Sequence, residues 1–290
     1  MRRISLLSIG TLVFSGCSRL ASIPDYPEQT PESWLIIQPF TQVKIGGVSF
    51  ILVQPSSTIF VYLLGIVTIG AGITCFRNQD RYQSRWWWGI ALLLWGVGAL
   101  LAGTSYQAFS YEIKCAGQSF CSWTSWWEIF YLIFSAASVN AMVIAGAYSC
   151  CVGKWRKVLK IYAIMNLVSY IIIIMVGVLT LNKFLISFEL LLIFTAPNIL
   201  LLFILNGWRY FKSRKPMDLA LLITWLWLGF AIGIYFLYWS LDITNDLWEQ
   251  GIWFSENDVL HIGLIIWMVY IAFYVARQLV DEPAPILESP

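Results

Sequence analysis

Seven stretches of this chain are each long and apolar enough to cross a lipid bilayer, which settles most of what it can fold into. A helix needs roughly 20 apolar residues to span the hydrocarbon core. The stretches run over residues 57–76, 87–109, 124–148, 161–181, 184–205, 219–241 and 259–276. Lipid offers no water to satisfy backbone N–H and C=O groups, so uninterrupted segments of this length cross as helices. An all-α membrane protein is expected, built as a bundle of seven transmembrane helices. The composition agrees, with 59% apolar and 12% charged residues against about 45–50% and 25% in soluble domains. So few charges cannot cover a water-exposed surface, which excludes a soluble enzyme and a disordered chain. The net charge of +2, with no basic stripe, gives no electrostatic footprint for nucleic acid.

Lysine and arginine set the orientation. With the start of the first span outside, the inner loops hold 12 of them and the outer loops hold Arg19, Lys44, Lys114 and Lys183. Positive residues are retained on the cytoplasmic side, so the bundle is expected N-out and C-in, in a bacterial inner (plasma) membrane. Cysteines point the same way. Cys115 and Cys121 fall in the short outer loop after the second span, where the compartment is oxidising, and their spacing admits a disulfide. Cys75, Cys150 and Cys151 fall on the inner side.

The N-terminus divides into segments. Residues 4–16 are apolar but too short to span, and they follow Arg2 and Arg3, as in a signal peptide. The run ending Ser15-Gly16-Cys17 resembles a bacterial lipobox, which makes Cys17 a lipidation candidate; cleavage or retention of an ordinary signal is the alternative. The expected organisation is therefore a signal or lipobox over 1–17, an extracytoplasmic tether and β-hairpin over 18–56, the seven-helix domain over 57–278 and a cytoplasmic tail over 279–290. Residues 18–32 are polar and contain proline, as a tether does. Residues 34–37 and 42–53 favour strand, and Gly46-Gly47 between two β-branched runs predicts a hairpin.

Inside the bundle, Gly229–Gly233, Gly98–Ala102 and Thr68–Gly72 have small-xxx-small spacing, which suits close helix contact. Trp86, Trp87, Trp88, Trp155 and Trp208 toward one interface, and Trp123, Trp126, Trp127, Trp239 and Trp253 toward the other, read as aromatic belts. Pro197 should kink or locally open the fifth span. Asn140, Asn166 and Asn198 form an inner polar layer, suited to interhelical hydrogen bonds.

Ionisable and strongly polar residues within membrane helices are costly and mark candidate sites. Gln107 (beside Ser105 and Tyr106), Glu128, Glu189, Asp258 and His261 all fall in the outer third and are expected to share one outward-facing polar pocket. At 1.5 Å per residue, Glu189 would lie about 8 Å below the outer end of the fifth span, facing the interior. Asp258 and His261 are three apart on one helix face, so Asp258 could orient the imidazole. Ser255–Asp258 is equally a helix start signal. The chain has one histidine, so a zinc site would have to combine His261 with Glu128, Glu189 or Asp258. No metal and no other cofactor is expected.

In topology and in a few motif positions the chain resembles the CREST superfamily, which includes alkaline ceramidases and progestin/adiponectin receptors. That resemblance implies a zinc site and, in several members, lipid amide hydrolysis. Gly103-Thr104-Ser105-Tyr106-Gln107 occupies the region of a Ser and a His in the second helix, with Gln107 at the His. Glu128 occupies the acidic position of the third helix. His261 matches the first His of the seventh-helix pair, and Ile265 replaces the second. Two of three expected His ligands are thus missing. Two functions stay open: non-enzymatic binding of a lipid, small ligand or protein partner at the outer pocket, or a membrane hydrolase acting on a lipid amide or ester through a reduced site.

Overall fold

The computed structural model of the chain describes residues 19–25, 27–77 and 82–283. The expected signal or lipobox over 1–17, with Cys17, lies outside the described residues. Seven helices are long and apolar enough to cross a membrane: Pro55–Arg77, Gln83–Ala108, Trp126–Cys150, Gly153–Thr180, Phe188–Ser213, Pro216–Ser240 and Glu256–Gln278. The fold fits a multi-pass membrane protein. We call them the first to seventh spans. They alternate between a hairpin end, where the first span starts, and a tail end, where the seventh finishes.

Two strands, β1 (Phe40–Ile45) and β2 (Val48–Val53), pair antiparallel with Ile45 opposite Val48 and Phe40 opposite Val53. Gly46 and Gly47, at φ 57° and 87°, make the two-residue turn that matches strand twist. The hairpin docks onto the helix Ser110–Lys114 through Ile51 N–H donating to Glu112 at 2.9 Å and Phe50 packing on Phe109 at 5.3 Å.

Two expectations about the N-terminal segment are corrected. Residues 34–36 belong to a helix, Pro31–Ile36, and Ile37 is its C-cap. Thr30 and Ser33 form a reciprocal cap and Pro31 opens the first turn, and this local chemistry outweighs strand propensity. The tether is also docked over part of its length. Leu20 and Ile23 are buried, Asp25 N–H donates to Cys121 C=O at 3.0 Å, and Cys121 N–H donates to Gln29 C=O at 2.7 Å. The Cys115–Cys121 disulfide is present.

Of the small-xxx-small pairs, Thr68–Gly72 contributes Gly72 to a close helix crossing and Gly98 of Gly98–Ala102 lies in ordinary contact with Ser135. The first and second spans cross backbone to backbone at Gly65, Gly72, Gly89 and Gly96. A β-carbon on Gly96 would stand 2.9 Å from the Gly65 carbonyl oxygen and 2.7 Å from Ile69 Cγ1. By contrast, a β-carbon on Gly229 or Gly233 would meet nothing within 4 Å, so that pair faces away from the bundle. The spacing of small residues is right there, but the helix face is wrong.

One belt tryptophan is also corrected. Trp88 is buried against Trp225 at 5.9 Å, because it lies on the inward face of the second span. Trp86, Trp155 and Trp208 are exposed toward the tail end, and Trp127, Trp239 and Trp253 toward the hairpin end. Asn140, Asn166 and Asn198 meet as a network: Asn140 donates to Asn166 at 3.0 Å, Asn198 donates to Asn140 at 3.3 Å, and Tyr162 donates to Asn198 at 2.7 Å. The third, fourth and fifth spans are joined there. The fifth helix is continuous through Pro197.

The tail end is closed by the segment after the seventh span. Glu282 accepts from Arg209 at 2.8 Å and from Lys215 at 3.3 Å. Arg209 also donates to the buried carboxylate of Asp218 at 2.9 Å. Partial burial pushes the Glu282 carboxyl up, but the hydrogen bonds and charges of Arg209 and Lys215 outweigh it and hold it below the usual carboxylate range.

Two outcomes follow for stability. Gly96→Ala should destabilise the purified protein by about 1–3 kcal/mol through overpacking, while Gly229→Ala should stay within about 0.5 kcal/mol of wild type; thermal unfolding in one detergent compares them. For Glu282, a lowered native pKa means its stabilisation is complete above the ordinary glutamate value near 4.5 and is lost as pH falls through the native value. Thermal midpoints measured from pH 7 down to pH 3.5 should fall less steeply in Glu282→Gln than in wild type, and equal slopes would refute that assignment.

Candidate functional site: a two-chambered cavity at the hairpin end

The second span does not finish as an α-helix. Gly103–Ala108 is a π-helical turn, with Phe109 N–H donating to Thr104 C=O at 3.0 Å. Such turns insert a residue into helical register and are frequent at functional sites. Here the turn sends Ser105 toward the third span and Gln107 toward the bundle interior. Ser105 donates to Glu128 at 2.7 Å and meets Ser125 at 2.7 Å. Glu128 is almost fully buried and forms a 2.7 Å ion pair with Lys114, itself only 5% exposed. Lys114 also lies 5.1 Å from the Tyr106 ring and 5.7 Å from the Trp34 ring, distances at which a cation is attracted to an aromatic face.

Lys114, Trp34, Tyr106 and Gln107 line a chamber of about 490 Å³ beneath the hairpin, with Gln54 in its roof and His261 in its floor. A second chamber of about 230 Å³ lies deeper and is nearly all apolar, walled by residues such as Leu64, Trp95, Val139 and Leu228. His261, Val61, Ala102, Tyr131, Phe188, Leu192, Ile232 and Leu260 line both, so the two are adjoining parts of one space. Four of the shared or upper lining residues, Phe188 and Leu192 of the fifth span and Ile232 and Phe236 of the sixth, are also exposed on the outside of the bundle. The space therefore opens sideways between the hairpin-end halves of those two spans.

The polar wall is unsatisfied. Trp34 Nε1, Gln54 Oε1, Gln107 Oε1 and His261 Nδ1 are buried without a hydrogen-bond partner among the described residues, and all four residues line the upper chamber. Buried polar groups normally find partners, and each one left alone calls for an explanation. This set contains a donor, two acceptors and an imidazole nitrogen that can be either. Lys114, the one cation among the described lining residues, is already neutralised by Glu128.

The sequence-predicted residues separate into three groups. Gln107 and His261 share the cavity. Glu128 stands one layer behind it and acts on it through Lys114. Asp258 is fully buried and holds the start of the seventh helix, its Oδ2 accepting from Ser255 N–H at 2.7 Å and Ser56 Oγ at 3.0 Å. It does not orient His261, whose Nδ1 has no partner. Glu189 corrects the expected depth. The fifth helix begins at Phe188, after a short 3-10 turn over Phe184–Ile186, so Glu189 is exposed in the first turn, where the helix dipole favours a carboxylate. Lys114 was missed because it counts as one more loop charge; its position next to Cys115 and two residues after Glu112 carries no signal of burial.

Residues 56–280 match the model of a family of unknown function, DUF6962. The chain belongs to that family. No curated protein and no solved structure matches it. The match of this DUF6962 member shows no link to the CREST superfamily. Nor do the residues present fit a zinc ion of the kind that resemblance implies. Gln107 offers an amide and Ile265 nothing at the two missing His positions, Glu128 is committed to Lys114, and no group of three His, Cys, Asp or Glu side chains is placed to hold a metal among the described residues.

The ion pair can be tested directly. Lys114→Met leaves a buried, unpaired Glu128 and should cost about 3–5 kcal/mol. Lys114→Met combined with Glu128→Gln should recover most of that loss, measured by thermal unfolding; a double variant as unstable as the single would show that the pair is not the cause.

Proposed function

We propose that this DUF6962 member is a binding protein of the cell membrane, N-out and C-in, which holds an uncharged amphiphile in the cavity at its hairpin end without transforming it. In a bilayer, an opening between two apolar spans would admit an acyl chain without its crossing water, which supports this reading. The single observation that carries the reading is the set of four unpartnered buried polar atoms on residues lining the upper chamber, which adjoins an apolar one. A head group bearing hydroxyls or an amide would supply both donors and acceptors to that wall, and a chain would fill the space below. An anionic head would meet no uncompensated positive charge. The upper chamber has the size of ordinary ligand sites, roughly 300–1,000 Å³. Binding is favoured over hydrolysis because Ser105 is fully buried and bonded to Glu128, and His261 lacks the carboxylate partner that would hold it as a general base. The orientation rests on the lysine and arginine bias toward the tail end.

Monoolein is a suitable probe. Titrated into the purified protein in nanodiscs, it should quench or shift the fluorescence of Trp34 and Trp95. Ala102→Phe, which fills the junction of the chambers, should abolish the change. Gln107→Leu and His261→Ala should each weaken binding by roughly 2- to 10-fold, the loss of one hydrogen bond. Binding unaltered in Ala102→Phe would sink the proposal, and release of glycerol from monoolein that depends on His261 would convert it to the hydrolase reading.

A further inference from the structure

The deep chamber limits how much chain a bound molecule can carry, an inference that rests on the binding reading above. Its lining comes from every span but the fourth. Depth below the hairpin end follows from helix rise, about 1.5 Å per residue. His261 and Ala102, at the junction with the upper chamber, lie about 7–9 Å from the hairpin ends of their helices. Trp95, Val139, Ile199 and Leu228 are the lining residues farthest along their own spans, at about 16–20 Å. Four separate helices thus put the floor at one level, about 10 Å below the junction.

That floor is braced from below. Trp95 packs edge-on against Trp267 at 5.2 Å, and Trp267 is fully buried with its indole donating to Thr224 C=O at 2.9 Å. Val139 and Ile199 adjoin Asn140 and Asn198 in sequence, whose buried side chains bond at 3.3 Å. A chain tip that pushed between these amides would leave them unpaired in an apolar setting, which is costly. The polar groups of the chamber wall are engaged as well: Thr195 donates to Leu191 C=O at 2.7 Å, and Ser135 is hydrogen-bonded to Tyr131. The chamber therefore offers contacts to a terminal methyl and no partner to a terminal polar group.

An extended chain advances about 1.25 Å per carbon, the projection of a carbon–carbon bond near 1.5 Å. We propose that the cavity measures chain length: it selects single-chain amphiphiles with about six to ten chain carbons below the head group, and the level of Val139 and Leu228 sets the limit. A longer chain, such as that of monoolein, leaves carbons in the side opening and binds more weakly. A shorter one leaves a void over the floor, where the wall atoms have no partner to touch.

Competition on the full chain in phosphatidylcholine nanodiscs tests this. Saturated 1-monoacylglycerols of six to sixteen carbons are supplied at equal mole fraction in the bilayer, which removes the general gain of longer chains from leaving water. Native mass spectrometry then reads which species the protein retains. Retention should peak between six and ten carbons, with the sixteen-carbon species about 10-fold below the peak, the scale of a core misfit. Val139→Phe, which raises the floor, should move the peak at least two carbons shorter, and Leu228→Ala, which opens it, should move the peak longer. Retention that is flat or rises to sixteen carbons overturns the length limit while leaving binding intact, as does a peak that neither variant moves. Retention of two-chain phosphatidylcholine in preference to every monoacylglycerol overturns it too. If no amphiphile of any length is retained, the binding reading itself fails and the length limit falls with it. Should Leu228→Ala not fold, Val139→Phe decides.

Discussion

Helices surrounded by lipid gain little apolar burial by touching one another, so the bundle depends on where backbones can approach and where polar groups can pair across helices. Both occur at a few places. Gly65, Gly72, Gly89 and Gly96 bring the first two spans into backbone contact. The Asn140, Asn166 and Asn198 network joins the third, fourth and fifth. Arg209 with Asp218, and Asn206 with the Trp225 indole at 2.9 Å, join the fifth to the sixth.

The distribution of these ties explains the cavity. The bonds between the fifth and sixth spans cluster at the tail end, and Gly207 opposite Leu222 at 3.6 Å adds a packing contact there. Toward the hairpin end the same two spans present large apolar side chains outward and inward at once. A bundle fastened at one end opens at the other. The polar roof over that opening is supplied by residues outside the spans, Trp34 and Gln54, and by Lys114 from the loop after the second span.

Much of this was legible. Span number, the hairpin with its Gly46-Gly47 turn and the disulfide follow from apolar run length, turn chemistry and cysteine spacing, which are local properties. Gln107 and His261 were legible as polar residues at membrane depth. What failed was anything that depends on which way a helix face turns. Gly229 and Gly233 have the right spacing on an outward face, Trp88 sits at belt height on an inward one, and Glu189 was placed by counting from a helix start that lies four residues further on. Lys114 was illegible for a related reason: a lysine in a short loop reads as solvated until the fold brings a carboxylate to it.

The disulfide ties the cavity wall to the N-terminal segment. Cys115 directly follows Lys114, and its partner Cys121 also shares backbone bonds with Asp25 and Gln29. Seven apolar helices can insert whatever the state of these thiols. The ammonium group in the cavity wall, already held by Glu128, is thus one residue from a covalent tie to the segment that carries Cys121. Reducing the bond would release the segment between the two sulfurs while leaving the apolar helices as they are, so the cavity wall, and not the bundle, would register the change.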